Sequence, residues 1–289
     1  MIAIEKLDNN KFSIFNKLVE ESKNKTKYTM DFYKFYDNQS FIYKYFLRKM
    51  VHLIKVDNKY IGFIWTESAI YDSNKISEIF ILEEFLPYFN KNLLMILKRD
   101  SLVYECYENE YTLKLLKVLG MYRIRLTNLM KLIDLNLYFN DDNTSAAFSL
   151  YRSKKDAKVR CALQNAIFND HNRVSLSVED IYYDEKQEYY VEGLALFIKD
   201  GEIPVGYGQI IFTRGVYFVV NFGVLESYRS KGYGKALLIK LIELARKRGV
   251  KELYIRVDDN NIPAKFLYRK IGFIDVGNFS TWLWCKKII

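Results

Sequence analysis

The chain has 289 residues, half of them hydrophobic, with 44 Lys+Arg against 35 Asp+Glu and a formal net charge of +9. That is long enough for one large or two ordinary domains with a sizeable core. No basic-plus-apolar leader shows in Met1 to Asn10, and no long uncharged apolar run could span a membrane, so a compact soluble protein is expected in the cytoplasm. Cys106, Cys161 and Cys285 are odd in number and widely spaced, without a Cys-x-x-Cys pattern; they predict buried thiols in a reducing compartment, and no metal site.

Met1 to Leu7 predicts a first strand, and Phe12, Phe15, Leu18 and Val19 have helical spacing within Asn9 to Glu21. Asp31 can cap a second helix running to Met50. His52 to Val56 and Lys59 to Trp65 predict two strands joined at Asp57-Asn58. Lys75 to Leu82 predicts a strand and Phe85 to Lys98 a helix. Leu102 to Cys106 then predicts a strand and Glu108 to Leu119 a helix, and Gly120-Met121 leads into the strand formers of Tyr122 to Leu135.

Asn140 to Ser145 is polar and breaker-rich, the best linker in the chain. A helix is predicted from Ser153 to about Phe168, with Ala157, Cys161, Leu163, Ala166 and Ile167 near one face. Asn169 to Tyr190 reads mostly as loop, with a short helical turn near Ser177 to Asp180. Tyr190 to Ile198 and Val205 to Phe212 form a hairpin around Lys199 to Glu202, and Val216 to Val224 is the next strand. An amphipathic run, Ala236 to Arg248, ends at Gly249, a natural C-cap. Leu253 to Val257 predicts a strand, Pro263 to Ile271 a helix, and about Phe273 to Val276 with Ser280 to Lys286 a closing pair.

The strand ending at Val224 and the helix from Ala236 enclose Leu225-Glu226-Ser227-Tyr228-Arg229-Ser230-Lys231-Gly232-Tyr233-Gly234-Lys235. A glycine-containing loop opening a helix gathers free backbone N–H groups and the positive end of the helix dipole, which makes an anion site. Gly232 and Gly234 permit backbone angles and close approach that a Cβ hinders, and Arg229 and Lys235 add cationic reach. The form is Arg-x-x-Gly-x-Gly, neither a Walker loop nor a dinucleotide fingerprint.

Here the chain resembles the GCN5-related N-acetyltransferases, the GNAT superfamily. Their acetyl-CoA signature is a strand ending in Val, then Arg/Gln-x-x-Gly-x-Gly/Ala at a helix start; Val224, Arg229, Gly232 and Gly234 match it. Many members also carry Asn-x-x-Ala-x-x-x-Tyr-x-x-x-Gly-Phe downstream, and Asn261, Ala264, Tyr268, Gly272 and Phe273 match that. The resemblance covers the chain well from about Tyr151 onward and weakly from Met1 to about Leu135. From Tyr151 onward there are 23 Lys+Arg against 16 Asp+Glu, a +7 excess that suits a polyanionic cofactor. No nucleic-acid motif accompanies it.

With Gly120 set against Gly272, Asn109 falls on Asn261, Thr112 on Ala264, Leu116 on Tyr268 and Met121 on Phe273. This reads as an internal duplication. The expected fold is α+β, a mixed α/β arrangement of two tandem GNAT domains, each a mixed, mostly antiparallel twisted sheet flanked by helices. The expected domains are 1–140, a degenerate non-catalytic copy, and 151–289, the acetyl-CoA-binding copy, with a linker at 141–150. Carried upstream, the register sets Phe80 against Gly232 and Leu82 against Gly234; Ile79 to Lys91 holds no glycine, and Pro87 sits near the helix start. Leu116 cannot donate a proton.

The resemblance implies acetyl-CoA as co-substrate, in a cleft where the fourth and fifth strands splay apart. The backbone of Phe222, Gly223 and Val224 would pair with the pantetheine arm as an added strand. Arg229, Ser230, Lys231, Gly232, Gly234 and Lys235 would bind the pyrophosphate. Asn261 would bond the cofactor, cap its helix, or do both. Tyr268 would be the general acid at the departing sulfur; it could also be an ordinary core tyrosine.

The general base stays open. No carboxylate lies between Val216 and Val224, and Glu192, Glu226, Asp258, a water chain or a residue lent by the N-terminal copy all remain. His52 and His171 have no partner at metal-ligand spacing. The implied activity is N-acetylation of a primary amine on a small molecule or peptide, with no nucleic-acid or membrane partner. The alternative is a CoA-binding regulatory module without turnover. An aminoacyl or peptidyl transferase on the same frame is a third reading, which the intact acetyl-CoA loop disfavours.

Overall fold

The computed structural model describes residues 2–37, 39–67, 74–136, 146–169 and 174–286. The chain divides into two compact units: Met1–Thr127 with Gly277–Ile289, and Asn128–Val276. Both are mixed α+β, with mostly antiparallel sheets flanked by helices.

The first unit opens with β1 (Ile2–Lys6) and α1 (Phe12–Lys25). Phe15 on α1 is fully buried, meeting Phe32 at 5.0 Å and Phe63 at 5.1 Å, both edge-on. The single helix expected from Asp31 to Met50 is two, α2 (Phe32–Asp37) and α3 (Phe41–Lys49). Asp31 does cap the first, accepting from Tyr33 N at 3.0 Å and Lys34 N at 3.1 Å. Ser40 starts the second by accepting from Tyr43 N at 3.4 Å, a local bond that competes with helix continuation.

Strands β2 (Val51–Val56), β3 (Lys59–Thr66), β4 (Lys75–Ile81) and β5 (Ser101–Tyr107) follow. The helix expected at Phe85 to Lys98 is a pair of 3-10 turns, Glu83–Tyr88 and Lys91–Leu97. Pro87 lies inside the first and lacks a helical donor, and Asn90 caps the second. Then come α4 (Glu110–Val118) and β6 (Tyr122–Leu132).

In the second unit β7 (Ala147–Leu150) leads to α5 (Ala157–Ile167) and α6 (Val178–Glu185). α6 is longer than the short turn expected there, because Ser177 and Asp180 form a capping box. Strands β8 (Tyr190–Asp200), β9 (Ile203–Thr213) and β10 (Val216–Val224) form an antiparallel run. α7 (Tyr233–Lys247), β11 (Leu253–Asp258) and α8 (Ile262–Ile271) complete the unit. Leu194, Leu196 and Ile198 of β8 bury into a core with Leu237, Leu238 and Leu241 of α7. Ala195 and Phe197 bury into a second core with Ala157, Cys161 and Ile181 from α5 and α6. The period-two alternation of β8 thus puts helices on both faces of the sheet.

The closing strand is one element, β12 (Ile274–Cys285), in place of the expected pair. The expected boundaries, 1–140 and 151–289 with a linker at 141–150, differ from the structure at the closing strands. Residues from Gly277 count with the first unit, and Asn128–Leu132 of β6 with the second. The cause is apolar burial. Trp282 and Trp284 join the first unit's core, with Trp284 Nε1 donating to Lys91 O at 3.1 Å, and β12 runs antiparallel to β5 from Phe279↔Tyr107 to Cys285↔Ser101. Met130 and Leu132 join the second core. Of the expected linker, residues 141–145 lie outside the described residues, and Ala147–Leu150 is paired strand. Among the described residues no helix is long and apolar enough to cross a membrane.

Candidate active site

The second unit's sheet opens between β10 and β11. β10 runs parallel to β11 only from Tyr217 to Val219, against Leu253 to Ile255, although both strands continue beyond. On its other edge β10 stays paired with β9 through Val224↔Gly206, after a register shift between Val220 and Gly223. Asn221, inside that bulge, has φ 51, a left-handed conformation that local polar bonding makes accessible to Asn. The β11-side edge of Val220–Val224 therefore carries backbone groups outside the ladder, a template for one more extended chain. Phe222 and Gly223 are half-buried there and Val224 is buried.

The strand runs directly into the loop. Ser230 has φ 61 and Gly232 φ 87, and Gly232 N-caps α7 with no side-chain cap bond. Left-handed residues in such a turn aim successive amides into one concavity, and the first amides of α7 precede its first helical bond. The first helical acceptor is Gly232 O, 3.0 Å from Ala236 N. Gly234 is different: its φ is not in the left-handed region, and a Cβ on it would lie 3.7 Å from Leu267 Cδ2, an ordinary contact. The backbone-angle argument made from sequence holds for Gly232 alone. Ser230, Lys231 and Gly232 are exposed, and Gly234 and Lys235 half-buried.

Arg229 departs from the reach expected of it. Its Nε donates to Val224 O and its Nη2 to Ile167 O, both at 3.3 Å. The guanidinium ties the end of β10 to the end of α5. Asn261 caps α8, with Oδ1 accepting from Ala264 N at 3.2 Å, which leaves its amide nitrogen for a ligand. Tyr268 of α8 is 6% exposed, its ring 6.1 Å from Phe222 and 6.0 Å from Phe273. Its hydroxyl makes no hydrogen bond among the described residues. Burial pushes its pKa well above the ordinary phenol value, so it stays protonated.

The carboxylates weighed as bases are all exposed. Glu192 is exposed on β8, beyond β9; Glu226 is exposed in the turn before the loop; Asp258 is exposed at the end of β11. His171 lies outside the described residues. His52 is in the first unit beside Lys6, its pKa lowered to about 4 by burial and by that ammonium. Among the described residues no group of three His, Cys, Asp or Glu could hold a metal ion.

A polar cluster that the sequence reading missed lies between α5 and the sheet. Arg160 and Gln164, both 1% exposed, are one turn apart, and Tyr207 and Gln209 of β9 are fully buried. The guanidinium carbon of Arg160 stands 5.3 Å from the ring centre of Tyr151 and 5.2 Å from that of Tyr207, and its Nη2 donates to Asp184. Burial works against the charge of Arg160, but Tyr207 and Asp184 outweigh it and raise the pKa. Gln209 Oε1 accepts from Tyr207 and from Asn221 in the β10 bulge, each at 3.3 Å. Helical spacing from Ala157 was the available signal: the buried face carries Arg160 and Gln164, while Ala166 is exposed.

Residues 164–273 match the acetyltransferase (GNAT) family model. YvbK, an uncharacterized N-acetyltransferase of Bacillus subtilis, is 32% identical over 106 residues, 36% of this chain and 68% of its own length. The chain belongs to the GNAT acetyltransferase family. The ribosomal protein bS18-alanine N-acetyltransferase of Haemophilus influenzae is 45% identical over 68 residues, 24% of this chain and 44% of that protein. The chain thus spans less than half the length of that relative. In fold, it resembles a GCN5-related N-acetyltransferase from Sphaerobacter thermophilus, with a TM-score of 0.70 and 14% identity over 98% of this chain and 95% of the other. A tandem GNAT protein from the clavulanic acid biosynthesis pathway gives a TM-score of 0.57 at 10% identity, covering 81% of this chain and 82% of its own.

The first unit can be set beside the second in the register expected for an internal duplication. β4 runs parallel to β5 only at Lys75↔Val103 and Ile76↔Tyr104, a limited pairing like that of β10 with β11. Since Val103 matches Ile255 in the duplicated register, Lys75 matches Val219 and Phe80 matches Val224. In that register the strand pairing sets Phe80 against Val224 and not against Gly232, the match expected from sequence. Where unit two has loop and α-helix, unit one has the 3-10 turn Glu83–Tyr88. Leu116, at the place of Tyr268, is fully buried, and Asn109 caps α4 as Asn261 caps α8.

Proposed function

We propose that this GNAT protein is an acetyl-CoA-dependent N-acetyltransferase whose second unit carries the reaction and whose first unit is a non-catalytic copy. The observation that carries this is the unladdered edge of Val220–Val224 continuing into the amides around Ser230 and Gly232, with the protonated Tyr268 beside Phe222. The edge fits an extended amide-bearing arm, and the loop fits a pyrophosphate. Phe222, Gly223 and Val224 would hold the arm. The amides from Ser230 to Lys235 would hold the phosphates, with charge from Lys231 and Lys235. Asn261 would donate its side-chain amide to the arm.

The acceptor is a primary amine on a small molecule or a peptide, the class to which the name of the Haemophilus relative points. Its neutral nitrogen attacks the thioester carbon. As the C–S bond breaks, the thiolate takes the Tyr268 proton. The nitrogen sheds its proton to water and the Tyr268 phenolate takes one back from water, so the products are an amide and a free thiol. A β10 amide facing the thioester oxygen would stabilise the charge that develops there.

The competing reading, a CoA-binding regulatory module, draws on β10 having no carboxylate from Val216 to Val224. Calorimetric titration of acetyl-CoA into wild-type and Gly232→Trp protein, followed by thiol release over an amine panel, separates the two. Binding lost in the variant together with thiol release supports transfer. Binding without thiol release from any amine favours the module. Absence of binding by folded wild type overturns both.

A further inference from the structure

Among the described residues, four side-chain nitrogens buried in the second unit have no hydrogen-bond partner: Arg160 Nε, Arg160 Nη1, Gln164 Nε2 and Gln209 Nε2. All are donors. A buried donor left without an acceptor is unfavourable, so four in one region call for oxygen atoms to meet them. Their placement follows α5 across the sheet. Arg160 lies over Tyr207, and Ile167 lies over Gly223, where a Cβ would come within 2.4 Å of Ile167 Cγ2. Gln164 lies between these two on the same helix. Gln209 faces this region beside Tyr207 and takes the Asn221 amide at the bulge preceding Phe222 and Gly223. The donor cluster therefore adjoins the stretch of β10 where the thioester is placed above.

We propose that this cluster recognises a carboxylate on the acceptor, so that the acceptor is an amino acid or an amine carrying a free acid. The inference rests on the acetyl-transfer reading for its location and on the orphan donors for its chemistry. Arg160 supplies charge and two free donor atoms, while its remaining nitrogen holds Asp184. Gln164 and Gln209 supply neutral donors that favour oxygen over a second ammonium. Two carboxylates nearby are already committed: Asp184 also accepts from Tyr189 at 2.7 Å, and Glu185 accepts from Tyr151 and Ser153. Arg160 acts here as a specificity residue; the reacting atoms lie at β10.

The test uses binding, so it does not depend on turnover. N-acetyl amino acids, as product mimics, and their C-terminal carboxamides are titrated calorimetrically into the protein with and without CoA. At least one acid is expected to bind tenfold or more tightly than its amide. Arg160→Met should erase that preference, Arg160→Lys should keep part of it, and Gln164→Leu should weaken it. Equal binding of acids and amides across the panel, or no binding of either, overturns the proposal and leaves the cluster to buried water. A preference that survives in folded Arg160→Met overturns it as well. If Arg160→Met does not fold, the wild-type ratio and Gln164→Leu decide. Loss of acetyl-CoA binding alone would sink the acetyl-transfer reading without touching the acid-to-amide ratio.

Discussion

The hydroxyl of Tyr111 closes a two-way bridge on Ile81: it accepts from Ile81 N at 3.0 Å and donates to Ile81 O at 2.7 Å. Ile81 ends β4, which the proposed duplication sets against β10, and Tyr111 comes from α4, which it sets against α8. The first unit thus satisfies with its own side chain backbone groups at the end of this strand. The residue at the same place in α8 is Pro263, which has nothing comparable to offer. Tyr111→Phe should orphan both groups of Ile81 and destabilise the first unit by about 2 kcal/mol. Urea unfolding checks this. Acetyl-CoA stoichiometry should not rise in the variant, because the 3-10 turn after β4 still gives no helix N-terminus.

The two loop glycines should separate cleanly. Gly232 has φ 87, so Gly232→Ala should cost about 1–2 kcal/mol locally and distort the amides beside it, weakening acetyl-CoA at least tenfold. Gly234→Ala meets only ordinary contacts, Leu267 Cδ2 at 3.7 Å and Val224 Cγ2 at 4.0 Å, and should leave folding and affinity within about twofold. Calorimetric titration of both variants measures the difference.

The contrast between these glycines shows what a sequence can and cannot carry. Strand, loop and helix around Gly232 were legible because local rules act over a few residues: a left-handed turn needs glycine, and a helix start needs a cap. Asn261 as cap was legible for the same reason. The exchange of closing strands was not. β6 and β12 are both runs of strand formers following a helix, and only the burial of Trp282 and Trp284 in one core and of Met130 in the other separates their partners. Arg160 was hidden by its type. An arginine in an amphipathic helix usually reads as solvated, and here the rings of Tyr151 and Tyr207, from distant strands and loops, replace solvent.

His52 makes the first unit acid-sensitive. Burial and Lys6 lower its pKa to about 4, against an ordinary value near 6.5. The unfolded chain therefore takes up this proton first as pH falls. Stability from His52 is complete above about pH 6.5 and is lost progressively down to about pH 4. Urea unfolding at pH 7 and pH 4.5 should show the first unit weakened at the lower pH, and His52→Gln should flatten that dependence.

Tyr268 gives the prediction closest to the chemistry. Its ring stands 6.1 Å from that of Phe222 and its hydroxyl has no hydrogen-bond partner among the described residues, so removing it leaves no orphaned protein group. Tyr268→Phe should fold as well as wild type, within about 1 kcal/mol, and bind acetyl-CoA with little change. Turnover should fall by about 10²–10³-fold if the hydroxyl protonates the leaving thiolate. The pH profile supplies an independent readout. Burial raises this phenol, so its ionisation cannot cause a loss of rate below about pH 10. In wild type any alkaline fall tied to Tyr268 should lie beyond that point, and stability that depends on the neutral phenol should start to decline there, because the unfolded chain ionises first. An unchanged turnover number in Tyr268→Phe at saturating substrates would return Tyr268 to the core and move the search for the acid to water along the open edge of β10.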